Sequence, residues 1–361
     1  LLGIAVLGSG LAVFSYYVSL PYAGFEFVGQ ANIGAIVPGS PAAAAGLQVG
    51  DQVLTMDGRP FRAGSLDLRP NQETIQFTVS RDGQRIPLEI ALTSPSLKET
   101  FYTTGHLLVA LAFWSIAMIA LILKPRDSTS QIFVLDSLLA ALAIVVWLLA
   151  DLGMVWATML MAAVVLAIGP ILVHFHTIFP ERSSFRGKKA LLAGLYGTSL
   201  ILLSLSTASG VMLDRGSGAL PFLTPVIEAH FSFCVLLGLA LLIRTYRMTR
   251  SETSKRQIAL ILLGTALALL PFIILLAIPH IFSTSYVVPT WLTLLLLAFI
   301  PLSYVYATYR RQLVTLDRMV NRSVAYYLLA LALVVLYLGL FRGARWLMPG
   351  FFSGSITPAD V

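Results

Sequence analysis

The chain has 361 residues, of which 57% belong to the hydrophobic set and only 11% are charged, and its mean hydropathy is +0.85. A soluble domain carries about a quarter charged residues, so this composition excludes a chain that hides its apolar surface in one water-soluble core and points to an integral membrane protein. The 24 Lys and Arg against 17 Asp and Glu, net +7, fit basic loop ends beside a membrane rather than nucleic-acid binding, and the single Cys234 excludes an intrachain disulfide or a cysteine zinc cluster.

A spanning helix needs about 20 mostly apolar residues. Leu1 to Leu20 is uncharged and reads as a first anchor, residues 1–20; a signal peptide cut after Ala23 is the alternative, although Pro21 sits where a small residue is wanted. From Thr103 onward the apolar runs 103–123, 131–149, 154–178, 190–206, 222–243, 258–279, 287–307 and 323–340 predict eight more spans, a block over 103–340 and nine in all. Residues 341–361 are expected to form an extracytoplasmic, truncated polar tail. The chain begins Leu1-Leu2 and stops at Ala359-Asp360-Val361, from which a fragment of a longer polypeptide is expected.

Basic residues orient the spans. The loops after the second, fourth, sixth and eighth carry Lys124 and Arg126; Arg182, Arg186, Lys188 and Lys189; Arg244, Arg247, Arg250, Lys255 and Arg256; and Arg310, Arg311, Arg318 and Arg322. The short loops between them hold only Arg215. That asymmetry predicts these loops in the cytoplasm and residues 21–98 outside. Anionic lipid is the expected partner of the basic loops.

Residues 21–98 change character. Ile33 to Val37 reads as a strand closed by Pro38-Gly39-Ser40-Pro41, Ala42 to Ala45 as a short helix ended by Gly46, and Asp51 to Met56 as a strand leading to the Asp57-Gly58 turn. Ile75, Phe77 and Val79 alternate with polar neighbours, Arg81-Asp82-Gly83 turns, and Ile86, Leu88, Ile90 and Leu92 complete a half-buried hairpin. Pro38-Gly39-Ser40-Pro41-Ala42, Ala45-Gly46-Leu47, Gly50-Asp51 and Asp57-Gly58 together resemble the core signature of bacterial PDZ domains. The resemblance implies peptide or protein capture by strand addition, with the terminal carboxylate held by a loop that Tyr22, Ala23, Gly24 and Phe25 would supply. Only about fifteen residues follow Gly58 before the next strand, so the helix that walls the groove in that family is expected to be short or missing. A purely structural or helix-docking domain is the alternative.

Ionisable groups inside spans are costly and need a reason. Asp136, Glu228 and His230 are the intramembrane sensing candidates; His106, His280 and Asp151 fall on the same side as Glu228 and His230 by topology. The alternative is interface residues, with Glu228 satisfied between helices. His174 and His176, two apart on a helix, point about 200° from each other and cannot share a metal side by side; they read as packing and interface residues. Pro271, Pro289 and Pro301 are expected to kink or end spans.

Residues Arg310 to Arg322 place Leu313, Leu316 and Met319 at helical spacing beside four arginines, which suits an amphipathic helix on the inner leaflet; a solvated loop is the alternative. The segment from Tyr304 to Leu340, through Tyr309-Arg310-Arg311-Gln312-Leu313, Leu316-Asp317-Arg318 and Val320-Asn321-Arg322-Ser323 with Tyr326, resembles a recurring pattern of multi-span bacterial sensor histidine kinases, and His174 to Arg182, with Phe179-Pro180-Glu181, is similar to a second. Some of those kinases, competence pheromone receptors among them, share the plan of anchor, outside PDZ-like domain and multi-span block. The resemblance implies signal coupling by Arg310, Arg311, Asp317, Arg318, Asn321 and Arg322, and a homodimer working with a response regulator.

No enzyme motif is present. None of His106, His174, His176, His230 or His280 precedes an acidic residue, as a phosphoacceptor would, and there is no phosphate-binding loop, His-Glu-x-x-His or Gly-x-Ser-x-Gly. No cofactor and no metal site is expected. The sequence is thus read as a polytopic α-helical membrane protein of about nine spans, with a small PDZ-like β/α domain between spans 1 and 2. Its expected role is the sensor part of a two-component histidine kinase. A stand-alone PDZ-containing scaffold is the runner-up, and a proton-coupled transporter comes third.

Overall fold

The computed structural model describes residues 2–28, 31–61, 68–69, 72–95, 97–152, 154–179, 186–214, 222–278 and 290–315. Residues 1–308 form one compact unit. Helix α1 (Leu2–Ser19) precedes a β domain, and a helical bundle follows it. The bundle comprises α3 (Leu97–Leu123), α4 (Ser128–Asp151), α5 (Val155–Ile178), α6 (Lys188–Asp214), α7 (Leu223–Met248) and α8 (Glu252–Phe272). Among the described residues seven helices, α1 and α3 to α8, are long and apolar enough to cross a membrane. They coincide with the first seven expected spans. The ninth, 323–340, and the tail lie outside the described residues.

α1 is packed into the bundle rather than standing apart. Its Val6 joins Val109, Phe113 and Val145 in one apolar cluster, and the Gly3 carbonyl accepts a 2.6 Å hydrogen bond from Trp114 Nε1. α5 and α7 cross closely because Gly169 has no side chain: a Cβ there would lie 3.1 Å from Cys234 Cβ.

The run expected as an eighth span is divided into α9 (Thr290–Leu296) and α10 (Phe299–Thr315). Pro301 is the cause. It has no N–H to donate to the Leu297 carbonyl four residues back, and its ring crowds that carbonyl. The chain instead tightens into three-residue hydrogen bonds, Leu297 N to Leu294 O, Ala298 N to Leu295 O and Ile300 N to Leu297 O. Pro271 acts similarly near the end of α8, where the helix relaxes into a single π turn over Ile273–Ala277. Pro289 lies outside the described residues.

Among its described residues the β domain is a six-stranded antiparallel sheet with one short helix. Its elements are β1 (Phe25–Val28), β2 (Asn32–Ile36), α2 (Pro41–Ala44), β3 (Gln52–Met56), β4 (Arg59–Pro60), β5 (Thr74–Arg81) and β6 (Gln84–Ala91). The spatial order is β1-β2-β3-β5-β6, with β4 paired to β3, so β1 and β6 are the end strands. β5 and β6 pair in unbroken register from Thr74 opposite Ala91 to Arg81 opposite Gln84. Asp57-Gly58 and Asp82-Gly83 each take positive φ at both residues (48° and 75°; 51° and 80°), the two-residue turn whose twist matches antiparallel strands.

Ile33, Val53, Ile75, Phe77, Val79 and Ile90 form the core of the domain. Leu20, directly after α1, belongs to the same core, and Leu152, from the turn after α4, packs against it. Tyr22 and Thr93 exchange backbone hydrogen bonds of 2.7 and 3.1 Å where the chain enters and leaves the domain. The domain is thereby closed where the chain enters and leaves it, and its core meets the bundle at Leu20 and at Leu152 of the α4–α5 turn.

Candidate functional site

The first site is the loop that opens β1. Ala23 C=O accepts from Ala42 N–H at 2.9 Å; Gly24 C=O accepts from Val37 N–H at 2.9 Å and from Ser40 Oγ–H at 3.1 Å. In a trans peptide the C=O and the next N–H point in opposite directions. With both carbonyls turned in against α2, the Gly24 and Phe25 N–H groups are turned out, two successive donors of the kind that cup an anion. Gly24 is required here. Its φ is +80°, and a Cβ would lie 2.2 Å from Ser40 Cβ.

Ser40 cannot yield, because it is buried and also caps α2, its Oγ accepting from Ala43 N–H at 3.3 Å. The Pro38-Gly39-Ser40-Pro41 turn therefore positions the loop as well as starting the helix. Val37 N–H bonding Gly24 O makes the next pair, Phe25 opposite Ile36, a non-bonded pair of the ladder. Phe25 thus turns its N–H and C=O toward the outer edge of β1, where no further strand lies among the described residues. The Phe25 ring packs edge-on against Phe77 in the core. Of residues 62–71, where a groove-walling helix would fall, only Leu68 and Arg69 are described, and Leu68 is buried in the core.

Asp51 of the Gly50-Asp51 pair has a structural task. It is 1% exposed and is held by Arg81 through Nε (2.7 Å) and Nη2 (2.6 Å), and it accepts from Gln48 N–H at 2.9 Å. Arg81 also bonds the Gly46 carbonyl at 2.8 Å, joining the α2–β3 turn to β5. The two hydrogen bonds from Arg81 hold the Asp51 carboxyl below its ordinary pKa against the opposing effect of burial. The same pairing raises Arg81. In the sequence Arg81 stands out only as part of the Arg81-Asp82-Gly83 turn.

The second site lies in the half of the bundle away from the β domain. His176 of α5 and Tyr304 of α10, 1% and 3% exposed, are joined by a 2.6 Å hydrogen bond between Nε2 and the phenol oxygen. His176 Nδ1 lies 2.6 Å from the Leu172 carbonyl, which can only accept. Nδ1 therefore carries the proton, Nε2 is an acceptor, and Tyr304 O–H donates to it. Phe133, Phe175 and Phe179 surround the phenol at centroid distances of 5.5 to 6.1 Å. His174 points the other way, toward Tyr196 of α6 at 3.4 Å, as the 200° separation requires.

The sensing candidates fall in two places. Asp136 on α4 is in the half with His176. Gly238 is where α7 passes the His176 ring, so Glu228, ten residues earlier, lies about 15 Å away along the helix axis. His230 meets Ser199 Oγ at 2.9 Å, and Cys234 Sγ at 3.8 Å. Near the β domain, Tyr102 O–H donates to Asp151 at 2.5 Å and His106 lies 2.9 Å from the Tyr102 carbonyl, its ring against Trp147. His106 and Asp151 are thus brought together through Tyr102, away from Asp136, and His280 lies outside the described residues. Among the described residues no group of three metal-binding side chains converges. Arg310 and Arg311 fall in α10; Asp317, Arg318, Asn321 and Arg322 lie outside the described residues.

The bond between His176 and Tyr304 was missed by sequence reasoning, because 128 residues separate the partners. A signal was present: His176 lies within one of the two stretches set apart above, and Tyr304 opens the other.

Comparison with known families places residues 33–69 in the PDZ domain model. The match begins in β2 and takes in α2, β3 and β4. No curated protein and no solved structure matches the chain. The chain accordingly carries a PDZ domain on a set of apolar helices suited to a membrane, and PDZ domains generally bind peptides or proteins.

Proposed function

We propose that this chain is the membrane sensor part of a signalling protein, in which the PDZ domain captures an extended peptide by its terminal carboxylate and passes the event to the helices. The observation that carries this reading is the Gly24–Ser40 loop: its carbonyls are bonded inward, its N–H groups are turned outward, and it leads into an end strand. A peptide adding to β1 would supply the missing ladder partner while its carboxylate meets the Gly24 and Phe25 N–H groups.

The distribution of basic residues favours an orientation with the PDZ domain outside a bacterial cytoplasmic membrane and the His176–Tyr304 end inside. Relay to the bundle would run through Leu20 and Leu152, which already share the core of the domain. The kinase identity rests on the resemblance of the His174–Arg182 and Tyr309–Ser323 stretches to sensor histidine kinases. It gains support from Phe175, His176 and Phe179 of the first stretch packing on Tyr304, at the threshold of the second. Anionic lipid at the basic loops, a homodimer and a response regulator belong to the same proposal.

The test is binding of a C-terminal peptide library to the full chain in nanodiscs, with each hit remade as its amide. Binding of free acids that is lost on amidation is expected; a library without hits contradicts capture. The kinase reading is tested by reading the source gene past the codon for Val361. A further span, a His-acidic helix and an ATP-binding domain are expected there, whereas a stop codon would favour a stand-alone PDZ scaffold.

A further inference from the structure

Around Asp136 the far half of the bundle gathers polar groups that the peptide-capture reading does not use. Asp136 Oδ1 is sealed from solvent and has no hydrogen-bond partner, and no ion pair reaches the carboxyl among the described residues. Thr265 of α8 is 1% exposed, and its hydroxyl sits beside that of Tyr304, to whose oxygen it can donate. Tyr304 of α10 and Tyr196 of α6 lie within electrostatic range of Asp136. Among the described residues, further titratable groups of this half of the bundle are His174 and His176 on α5, Lys188 at the start of α6, whose Nζ is bonded to the Thr177 carbonyl at 3.1 Å, and, toward the ends of α7 and α8, Arg244, Arg247, Lys255 and Arg256.

The donor pattern decides what Asp136 can be. Tyr304 has committed its one proton to His176, so its oxygen offers the neighbouring groups only lone pairs. Lone pairs repel a carboxylate and receive the O–H of a carboxylic acid. A buried carboxyl oxygen left without a hydrogen-bond partner, as Asp136 Oδ1 is, is costly in a low-dielectric interior. α8 and α10 also approach very closely here, since a Cβ on Gly264 would lie 2.4 Å from Ser303 Cβ, so small changes at this level are transmitted to α10.

We infer that Asp136 is a proton-binding site of the bundle, occupied while Tyr304 is bonded to His176, and that losing the proton releases α10. The step is one deprotonation: the Asp136 O–H bond breaks, the proton leaves to the nearer aqueous face, and the carboxylate draws the Tyr304 O–H away from His176 Nε2. This does not depend on what the PDZ domain binds.

The test is infrared difference spectroscopy on the full chain in nanodiscs, with aspartate labelled in its carboxyl carbon, together with amide exchange of α10. At neutral pH a protonated-carboxyl stretch is expected in the wild type and not in D136N. At alkaline pH the band should disappear, and α10 amides should exchange at least about tenfold faster than those of D136N at the same pH. Should D136N fail to accumulate, D136E must show a displaced protonated band. The inference is overturned if the neutral-pH spectrum of the wild type has no protonated carboxyl attributable to position 136. It is equally overturned if the α10 response to pH is the same in D136N.

Discussion

The His176–Tyr304 bond makes a quantitative prediction. Tyr304→Phe removes one hydroxyl and keeps the ring among Phe133, Phe175 and Phe179; what it leaves behind is a buried His176 Nε2 with no donor. An unsatisfied buried acceptor costs about 1–3 kcal/mol, while hydrogen bonds between membrane helices measured by double-mutant cycles average about 0.6 and reach about 1.7 kcal/mol. A 2.6 Å bond between groups at most 3% exposed belongs at the upper end of that range. Tyr304→Phe, His176→Leu and the double variant, unfolded reversibly in detergent micelles, should therefore give a coupling of about 1.5 kcal/mol. The double variant should lose clearly less than the two singles together, because apolar replacement of both partners leaves nothing unsatisfied. A coupling within about 0.3 kcal/mol of zero is what independent sites give and would refute the bond as a stabilising link between α5 and α10.

Other expectations follow from the PDZ domain and its neighbours. Asp51→Asn breaks charged hydrogen bonds worth about 2 kcal/mol, and the amides of β3 and β5 in the full chain should exchange about thirty-fold faster as a result. Because the folded-state pKa of Asp51 is depressed, its contribution is complete above the unfolded value of about 3.9 and is lost as pH falls through the folded value. The gap between wild type and Asp51→Asn should accordingly close in acid. Ser40→Ala removes an N-cap worth about 1 kcal/mol together with the Gly24 bond, so peptide affinity should fall more than domain stability, read by titration and by amide exchange on the same sample. Gly264→Ala should force α8 from α10, seen as lost protection of α10 amides without loss in the PDZ domain.

Much of the PDZ domain was legible because its signals are local. Asp57-Gly58 and Asp82-Gly83 demanded positive φ and took it, and the alternation of Ile75, Phe77 and Val79 marked the buried face of β5. The seven long helices were equally legible, since length and uniform apolarity suffice. The division of the eighth run was not. Pro301 was seen to kink or end a span, but hydropathy does not register the broken hydrogen bond at Leu297 that separates α9 from α10. Sites made by distant residues were hidden for a related reason. The bidentate clasp of Arg81 on Asp51, the fit of Ser40 against Gly24 and the pairing of His176 with Tyr304 depend on which faces meet, and apolar helices that are greasy all round do not declare their faces.

The central claim is that the PDZ domain holds a peptide carboxylate on the Gly24 loop and the peptide backbone on β1. The most direct measurement is amide exchange and chemical shift at Gly24, Phe25 and Phe27 of the full chain in nanodiscs, with a bound peptide as its free acid and as its amide. The account predicts a downfield shift of the Gly24 and Phe25 amides with the acid only, and slowed exchange along β1 with it. Equal responses to acid and amide, or a response confined to other strands, would contradict it.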